Sequence, residues 1–295
     1  MKIGIDSYTY HRYFGEWYAG LQEDPMQRMS VEDFLDIAKA HGVDGVSLEC
    51  CFLPDDDAAI DALREALAAR RLTPVWAWGH PSGLQSGKAP PEVAQNLVRH
   101  LGIARRVGAS VMRICGGGRR TRPERWDEHK QGLVAQLRPL VDAAEAHGVV
   151  MAIENHIDLL ADEMVELIET IASPWLGVCF DTANNLRMLE DPVVVARKLA
   201  PYARATHVKD VIAQKGDPKT FAFWPSVPLG RGLVDLPEIL ACLANEKYDG
   251  LLALEIDYLA PAFAAEGEDA AVSSSLAYLR SQVATLAARR QLSGP

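Results

Sequence analysis

Several features that would assign this chain to a special class are missing from its sequence. No stretch approaches the 18 or so uninterrupted apolar residues of a membrane-spanning helix, so we expect no membrane association. The five cysteines form neither a CxxC pair nor an even-numbered framework, which argues against a disulfide-stapled fold. Positive charge is also scarce, because 30 Lys and Arg face 40 Asp and Glu for a net charge of −10. That charge would repel a phosphate backbone, so we do not expect nucleic acid as a partner.

The composition is that of a globular protein able to bury a large core. Of its 295 residues, 48% are hydrophobic and 24% are charged. The opening segment, Met1 to Asp6, has neither the apolar core nor the cleavage site of a signal peptide and predicts a strand instead. We therefore expect a cytoplasmic protein. No linker or low-complexity tract interrupts the pattern, so the sequence predicts one domain over residues 1–295.

Short apolar runs rich in β-branched and aromatic residues recur along the whole chain, with helical patterns between them. Their spacing allows a strand, a crossover helix and loops in each repeat, which favours parallel pairing. Eight strands each followed by a helix predict a single (β/α)8 TIM barrel, with a doubly wound sheet as the structural alternative. The predicted strands are Lys2 to Asp6, Val43 to Glu49, Leu72 to Trp78, Ala109 to Cys115, Val149 to Glu154, Leu176 to Asp181, Ala205 to Lys209 and Leu251 to Ile256.

Helix start and stop signals agree with this order. Ser30 is a candidate N-cap, and Asp235 precedes a helix that carries Pro in its first turn. Gly42, Gly108 and Gly148 each follow a helical stretch and precede a predicted strand. The helices are therefore expected to end at these glycines.

Four consecutive strands end on a carboxylate or an imidazole, where an unpaired charge would cost several kcal/mol. Because the carboxyl ends of barrel strands meet at one face, a divalent cation bound by all four would remove that cost. Three oxygens and one nitrogen suit Mn²⁺ or Mg²⁺, with Co²⁺ or Zn²⁺ as further candidates. The alternative is that the four are ordinary strand-end residues that face solvent or form ion pairs. The predicted ligands are Glu154, Asp181, His207 and Glu255.

These segments resemble the xylose-isomerase-like family of metal-dependent sugar isomerases and epimerases. The matching motifs are AIENH, FDTAN, THVKD, VPLGRGLVDLPEIL and LALEI. The resemblance implies the same four metal ligands, with Glu154 and Glu255 as proton-transfer bases. It also implies a sugar or glycoside substrate and a metal-stabilised ene-diolate next to a carbonyl. A homo-oligomer is expected, and a small partner subunit is a further candidate.

The sequence departs from the epimerase pattern at two places. Asn184 stands where many epimerases carry a second His, and Val211–Ala213 stand where they carry an Arg. We keep Asn184 as a substrate-binding candidate. His156, two residues after Glu154, is similar to the base of family members that perform β-elimination on 3-oxo-glycosides, including C-glycoside deglycosidases. A lyase with His156 as base is therefore the alternative function, and a hydrogen-bonded His lining the barrel mouth is the structural one.

Other polar and aromatic residues near the strand ends have both a functional and a structural interpretation. Lys209 alternates with His207, so it would polarise a substrate oxygen or pair with Asp181 or Asp210. Arg113 and Glu49 would contact a sugar hydroxyl or pair with each other. Trp78 and His80 are candidate walls for a sugar ring.

Three loops add further candidates. The first βα loop and its surroundings hold six aromatic residues, among them Tyr8 and Trp17, which would stack on the substrate or form a subunit contact. The seventh loop carries Arg231 between two glycines, and we keep this arginine as a substrate-binding candidate. Cys115 to Arg120 is rich in Gly and Arg, so it would hold a phosphate or only permit a tight turn.

Two other function classes fit less well. An apurinic endonuclease shares the barrel but needs a multi-zinc, histidine-rich site and a basic face, whereas this chain has eight His and a net charge of −10. A non-catalytic binding subunit would not need all four predicted metal ligands. The sequence therefore favours a sugar isomerase or epimerase, with the lyase as the alternative.

Overall fold

Apolar runs and helix caps produce alternating strands and helices in the computed structural model, which describes residues 1–81 and 83–292. The strands are β1 Lys2–Asp6, β2 Gly45–Glu49, β3 Thr73–Ala77, β4 Val111–Cys115, β5 Val150–Glu154, β6 Leu176–Asp181, β7 Ala203–Val208, β8 Asp210–Val211, β9 Ser226–Val227 and β10 Leu251–Leu254. The helices are α1 Val31–Ala40, α2 Asp57–Arg70, α3 Pro91–Val107, α4 Trp126–His147, α5 Ala161–Ile171, α6 Pro192–Leu199, α7 Leu236–Asn245, α8 Pro261–Ala264 and α9 Glu268–Leu292.

Eight of the strands close into a parallel barrel in the order β1-β10-β7-β6-β5-β4-β3-β2. Every neighbouring pair is parallel, and the barrel closes where Lys2 pairs with Leu251. The remaining strands, β8 and β9, form a short antiparallel ribbon after β7. The predicted (β/α)8 barrel is confirmed, and the doubly wound alternative is wrong because its sheet would have two free edges.

The predicted helix signals lie at real helix ends. Ser30 accepts a hydrogen bond from the backbone of Asp33 and forms a capping box with its side chain. Asp235 caps α7 by accepting from the backbone of Glu238. Gly108 and Gly148 end α3 and α4 with φ values of +89° and +64°, a region that glycine enters without strain.

Two separate apolar clusters support the site. The larger one lies between the strands and the surrounding helices. The smaller one includes Ala152, Cys179, Ala205 and Ala253, which lie two residues before Glu154, Asp181, His207 and Glu255 on their strands. Because side chains two apart share a strand face, the four polar groups stand directly above this small-residue layer.

In the part of the chain that the structure describes, no helix combines the length and apolar character needed to cross a membrane.

Candidate active site at the carboxyl ends of the strands

A cavity of about 880 Å³ opens above the carboxyl ends of the barrel strands. Its lining includes many of the predicted site residues, contributed by strands and loops from both halves of the chain. They are Tyr8, Glu49, His80, Arg113, Glu154, His156, Asn184, Lys209 and Glu255. The cavity therefore gathers residues that are far apart in sequence at the face where the barrel fold predicts chemistry.

The four predicted metal ligands and Lys209 form one buried group at the base of this cavity, which we call the floor cluster: Glu154, Asp181, His207, Glu255 and Lys209. One ligand atom from each of Glu154, Asp181 and His207 lies within 4.8 Å of the other two. The fourth predicted ligand, Glu255, has its Oε2 2.8 Å from His207 Nδ1. The same nitrogen lies 3.4 Å from Glu154 Oε1. One imidazole nitrogen thus faces two carboxylates that come from different strands.

Glu154 is held by two neighbours and stays ionised. Arg113 Nε lies 3.4 Å from its Oε2, and Asn184 donates to its Oε1 at 3.0 Å. Burial alone would raise the pKa of Glu154, but the positive charges of Arg113 and His207 outweigh it and hold the pKa well below its usual range. The other partner of Arg113 is Glu49, as the sequence suggested.

Lys209 lies among three carboxylates. Its Nζ is 3.0 Å from Asp181 Oδ2, 3.1 Å from Glu255 Oε2 and 2.8 Å from Asp257 Oδ2. Of the two sequence-based pairings, the one with Asp181 forms. Asp210 instead accepts backbone hydrogen bonds from Gly230, Gly232 and Val234.

Negative charge exceeds positive charge in the floor cluster. Burial raises the pKa of Glu255 to about 7 and also raises the pKa of Asp181, despite the nearby Lys209. On the far side of the imidazole, Asp6 Oδ2 lies 3.4 Å from His207 Nε2. Within the described residues, Asp181 Oδ2, Glu255 Oε2 and both ring nitrogens of His207 are buried without a hydrogen bond. A buried set of three carboxylates and one imidazole with surplus negative charge suits a hard divalent cation.

His156 and Tyr8 also line the cavity. His156 Nδ1 is buried and makes no hydrogen bond within the described part of the chain, while its ring lines the cavity. The Tyr8 hydroxyl is 2.7 Å from the Tyr18 hydroxyl, and the Tyr18 ring lies 4.3 Å from the Phe221 ring. The aromatic first loop thus supplies part of the cavity wall, while Tyr10 of the same segment is buried in the core.

Three predicted substrate-binding residues lie outside this cavity. Trp78 is fully buried and donates from Nε1 to Asn96 of α3, because β3 turns it toward the helix layer rather than the mouth. Trp17 is 38% exposed and packs beneath the guanidinium of Arg28. Arg231 lines a separate small pocket with Phe263. None of these three side chains lines the cavity.

The structure adds residues that the sequence reasoning missed as site candidates. Asp257 contacts Lys209 and alternates with Glu255, so the strand-end rule would have found it. Asp6 ends β1 and could have been found in the same way. Arg187 enters the cavity from the 3-10 turn Asn184–Met188, and no sequence pattern marks it.

Curated proteins with similar sequences include an uncharacterized protein, YihM, of Escherichia coli (strain K12), which is 30% identical over 128 residues, 41% of this chain and 39% of that protein. A 2-epi-5-epi-valiolone 7-phosphate 2-epimerase of Actinoplanes sp. is 35% identical over 42% of this chain and 43% of its own length. The chain thus spans less than half of either relative. An inosose dehydratase of Bacillus thuringiensis (strain Al Hakam) is 23% identical over 66% of this chain and 72% of its own length.

Solved structures with the same fold cover the chain almost completely. A xylose isomerase domain protein from Planctomyces limnophilus has a TM-score of 0.74 and 22% identity, covering 97% of this chain and 98% of its own. The protein IOLI, solved with a bound zinc atom, has a TM-score of 0.73 and 15% identity, covering 98% of this chain and 99% of its own. The family model described as xylose isomerase-like TIM barrel matches residues 35–282. The chain therefore belongs to the xylose isomerase-like TIM barrel family.

Proposed function

We propose that this protein is a divalent-metal-dependent isomerase or epimerase of a sugar or a sugar-like polyol. The observation that carries the proposal is the floor cluster, in which Glu154 and Glu255 reach the same nitrogen of His207 at the base of a cavity large enough for a sugar. Family membership and the partial match to an epimerase support it. The reaction would remove a proton from a carbon next to a carbonyl and return it either to the opposite face of that carbon or to the neighbouring carbon.

The donor set fits a metal ion. Glu154, Asp181, His207 and Glu255 would hold it, with His207 as the neutral imidazole and with the cation replacing the contacts that Lys209 makes to Asp181 and Glu255. Lys209 keeps a third partner, Asp257 at 2.8 Å, which would balance its charge if a cation replaced it beside Asp181 and Glu255. A bound divalent cation would polarise the substrate carbonyl and stabilise negative charge on its oxygen.

The protein's own residues would move the proton. Glu154 is ionised and fixed by Arg113 and Asn184, so it is placed to accept a proton from the substrate carbon. Glu255 comes from β10, whereas Glu154 comes from β5, so the two carboxylates approach the cavity from different sides of the barrel. One carboxylate removing a proton and the other returning one would invert a carbon. Return to the neighbouring carbon would isomerise the sugar.

A lyase is the second candidate, and His156 favours it. Its Nδ1, which makes no hydrogen bond to the residues that the structure describes, can act as a base, and the inosose dehydratase relative is named for an elimination reaction. In that reaction the proton leaves the carbon next to the carbonyl, and a β-substituent departs with the electron pair of its bond. The same floor cluster would serve both reactions, which share deprotonation and differ only in the step after it.

A D₂O exchange assay tests the leading proposal. The protein is incubated with a panel of ketoses, aldoses, keto-cyclitols and 3-oxo-glucosides, with Mn²⁺ or with a chelator, and products are followed by NMR. We expect metal-dependent deuterium incorporation with an epimerised or isomerised product, and loss of incorporation in Glu154→Gln. Glu128→Gln, an exposed residue of α4 paired with Lys88, is the matched control.

The two candidates give different products in the same assay. An unsaturated ketone or a released aglycone would identify the lyase. Exchange that proceeds equally well in Glu154→Gln and with the chelator would contradict both.

A further inference from the structure

A second group of charged residues lines the cavity, and its charge is positive whereas that of the floor cluster is negative. We call this group the basic rim: Arg119, Arg120, Arg187 and Lys219. We propose that the basic rim binds an anionic substituent of the substrate, a phosphate or a carboxylate, away from the reacting carbons. This inference rests on the proposed function for the identity of the rest of the substrate.

The rim cations have no carboxylate partner among the residues that the structure describes. Within residues 1–81 and 83–292, no Asp or Glu oxygen lies within 4.0 Å of a side-chain nitrogen of any of the four. Arg122, on the same loop as Arg119, is by contrast paired with both oxygens of Glu163. In a chain with 40 acidic and 30 basic residues, four such cations around one cavity are a marked local reversal of charge. Glu16 lines the same cavity.

The rim is assembled from three separate segments. Arg119 and Arg120 come from the loop between β4 and α4, Arg187 from the 3-10 turn Asn184–Met188, and Lys219 from the segment after β8. Arg119 Nη2 donates to the backbone oxygen of Arg187 at 2.5 Å, which joins the first two segments. The Arg187 guanidinium lies over the Phe221 ring, 5.3 Å from its centroid, and this cation–π contact helps to hold the guanidinium in place.

Arg187 is the central residue of the rim. Its Nε is buried and makes no hydrogen bond to any residue that the structure describes. Burial lowers the pKa of Arg187 more than the negative charge of Asp257 raises it, and the positive charge of Arg119 also lowers it. An anion beside these two guanidinium groups would supply the missing acceptor and relieve their repulsion.

Side chains rather than backbone amides would make this subsite. The sequence left open a phosphate cradle formed by backbone amides of the Gly-rich loop. The amide of Gly118, however, already donates to Thr121 Oγ1 at 2.9 Å. Gly117 packs against Ser86, where a Cβ would lie 2.3 Å from Oγ, so the glycines allow close packing of the loop. Arg119 and Arg120, which follow these glycines, line the cavity with their side chains.

The cavity has room for such a substituent. At about 880 Å³ it lies near the upper end of the ~300–1,000 Å³ typical of small-molecule sites. Glu154, Lys209 and Glu255 line the same cavity as the rim, so one molecule can contact both regions. A monosaccharide that carries a charged group matches this division.

Binding measurements test the proposal without relying on turnover. Inorganic phosphate, glucose 6-phosphate, glucuronate and glucose are titrated calorimetrically into the chelator-treated protein, so that a cation in the floor cluster does not bind the anions. We expect glucose 6-phosphate or glucuronate to bind at least tenfold more tightly than glucose. The stronger of the two identifies a phosphate or a carboxylate as the preferred group.

Variants separate the rim from general charge effects. Arg187→Gln, and independently the double variant Arg119→Gln/Arg120→Gln, should weaken binding of the preferred anion at least tenfold, and Arg187→Lys should restore part of it. Arg231→Gln, which lies in the separate small pocket, is the matched control and should bind like the wild type. Thermal unfolding confirms that each variant is folded.

Two results would overturn the proposal. The first is equal affinity for glucose and for both anionic sugars in the wild type. The second is unchanged anion affinity in folded Arg187→Gln and in the Arg119/Arg120 double variant. If the anion preference and its loss in the variants are observed but no sugar undergoes exchange, the rim proposal stands and the proposed function fails.

Discussion

The floor cluster and the basic rim belong to one cavity but differ in whether their charged side chains form ion pairs. In the floor cluster, Lys209 contacts three carboxylates, and His207 lies between Glu154 and Glu255. In the rim, Arg187 and its neighbours have no carboxylate contact within the described residues. The floor is built from strand ends whose positions the barrel fixes, and the rim from loops. Residues held by strands suit bond-making chemistry, and residues on loops suit recognition of a variable substituent.

The largest expected effect on turnover comes from replacing the carboxylate of Glu255 in the floor cluster by an amide. Glu255→Gln keeps the shape of the side chain but removes its charge and its basicity, so we expect turnover to fall about a thousandfold with the fold intact. Steady-state kinetics with saturating Mn²⁺ and a thermal melt measure the two. The exposed Glu128→Gln serves again as control. Wild-type rates in Glu255→Gln would show that the floor cluster does not carry out the reaction through Glu255.

Removing the positive charge of Lys209 tests the charge balance of the floor cluster. Lys209→Met leaves Asp181, Glu255 and Asp257 buried without their shared partner, which should lower the unfolding free energy by about 3–5 kcal/mol in the metal-free protein. Mn²⁺ should restore much of this stability, because the cation would compensate the same carboxylates. Lys198→Met, an exposed lysine of α6 paired with Asp162, is the control. No stabilisation by Mn²⁺ in either protein would argue against a metal at the floor.

A buried carboxyl beneath the rim loop predicts a pH effect on stability. Asp158 lies beneath Gly116, has no hydrogen bond to either oxygen within the described residues, and burial raises its pKa to about 7. Because this pKa exceeds the unfolded value of about 3.9, ionisation is disfavoured in the folded state. The unfolding free energy therefore falls as pH rises from about 4 to about 7.

The Asp158→Asn variant should remove this pH dependence. Relative to wild type, we expect it to gain about 2–3 kcal/mol in unfolding free energy at pH 8 compared with pH 5. Urea denaturation at the two pH values measures the difference, with the exposed Asp142→Asn of α4 as control. A gain of the same size in both variants would mean that Asp158 is not the source.

The smallest effect is expected at His156, between the floor and the rim. If the carboxylates do all the proton transfer, His156→Ala should mainly raise KM, with solvent deuterium still entering the substrate near the wild-type rate. Metal content should be unchanged, because His156 is not among the proposed ligands. Complete loss of exchange with the metal retained would instead favour the lyase with His156 as base.

The sequence predicted the floor cluster because barrel geometry is regular. Side chains alternate with period two along a strand, so a polar residue two positions after Ala152, Ala205 or Ala253 lies on the same strand face as that alanine. The same rule would have included Asp257. The strand boundaries were also close, with β1 and β6 predicted to the residue.

The rules failed where a side chain depends on loop or helix contacts. Trp78 was placed in the cavity by counting along β3, but the strand ends at Ala77 and Asn96 of α3 binds its indole. Arg231 was placed there because glycines flank it. Those glycines serve instead to bring the amides of Gly230 and Gly232 to Asp210. Arg187 was missed because its position depends on a contact with Arg119, 68 residues away.

A crystal structure of the Mn²⁺-loaded protein, with anomalous data that locate the metal, would test whether the floor cluster is a metal site. We expect one cation within about 2.0–2.3 Å of Glu154, Asp181, His207 and Glu255, with Lys209 still beside Asp257. A protein without metal at this position, in which Lys209 continues to bridge Asp181 and Glu255 under saturating Mn²⁺, would contradict this expectation.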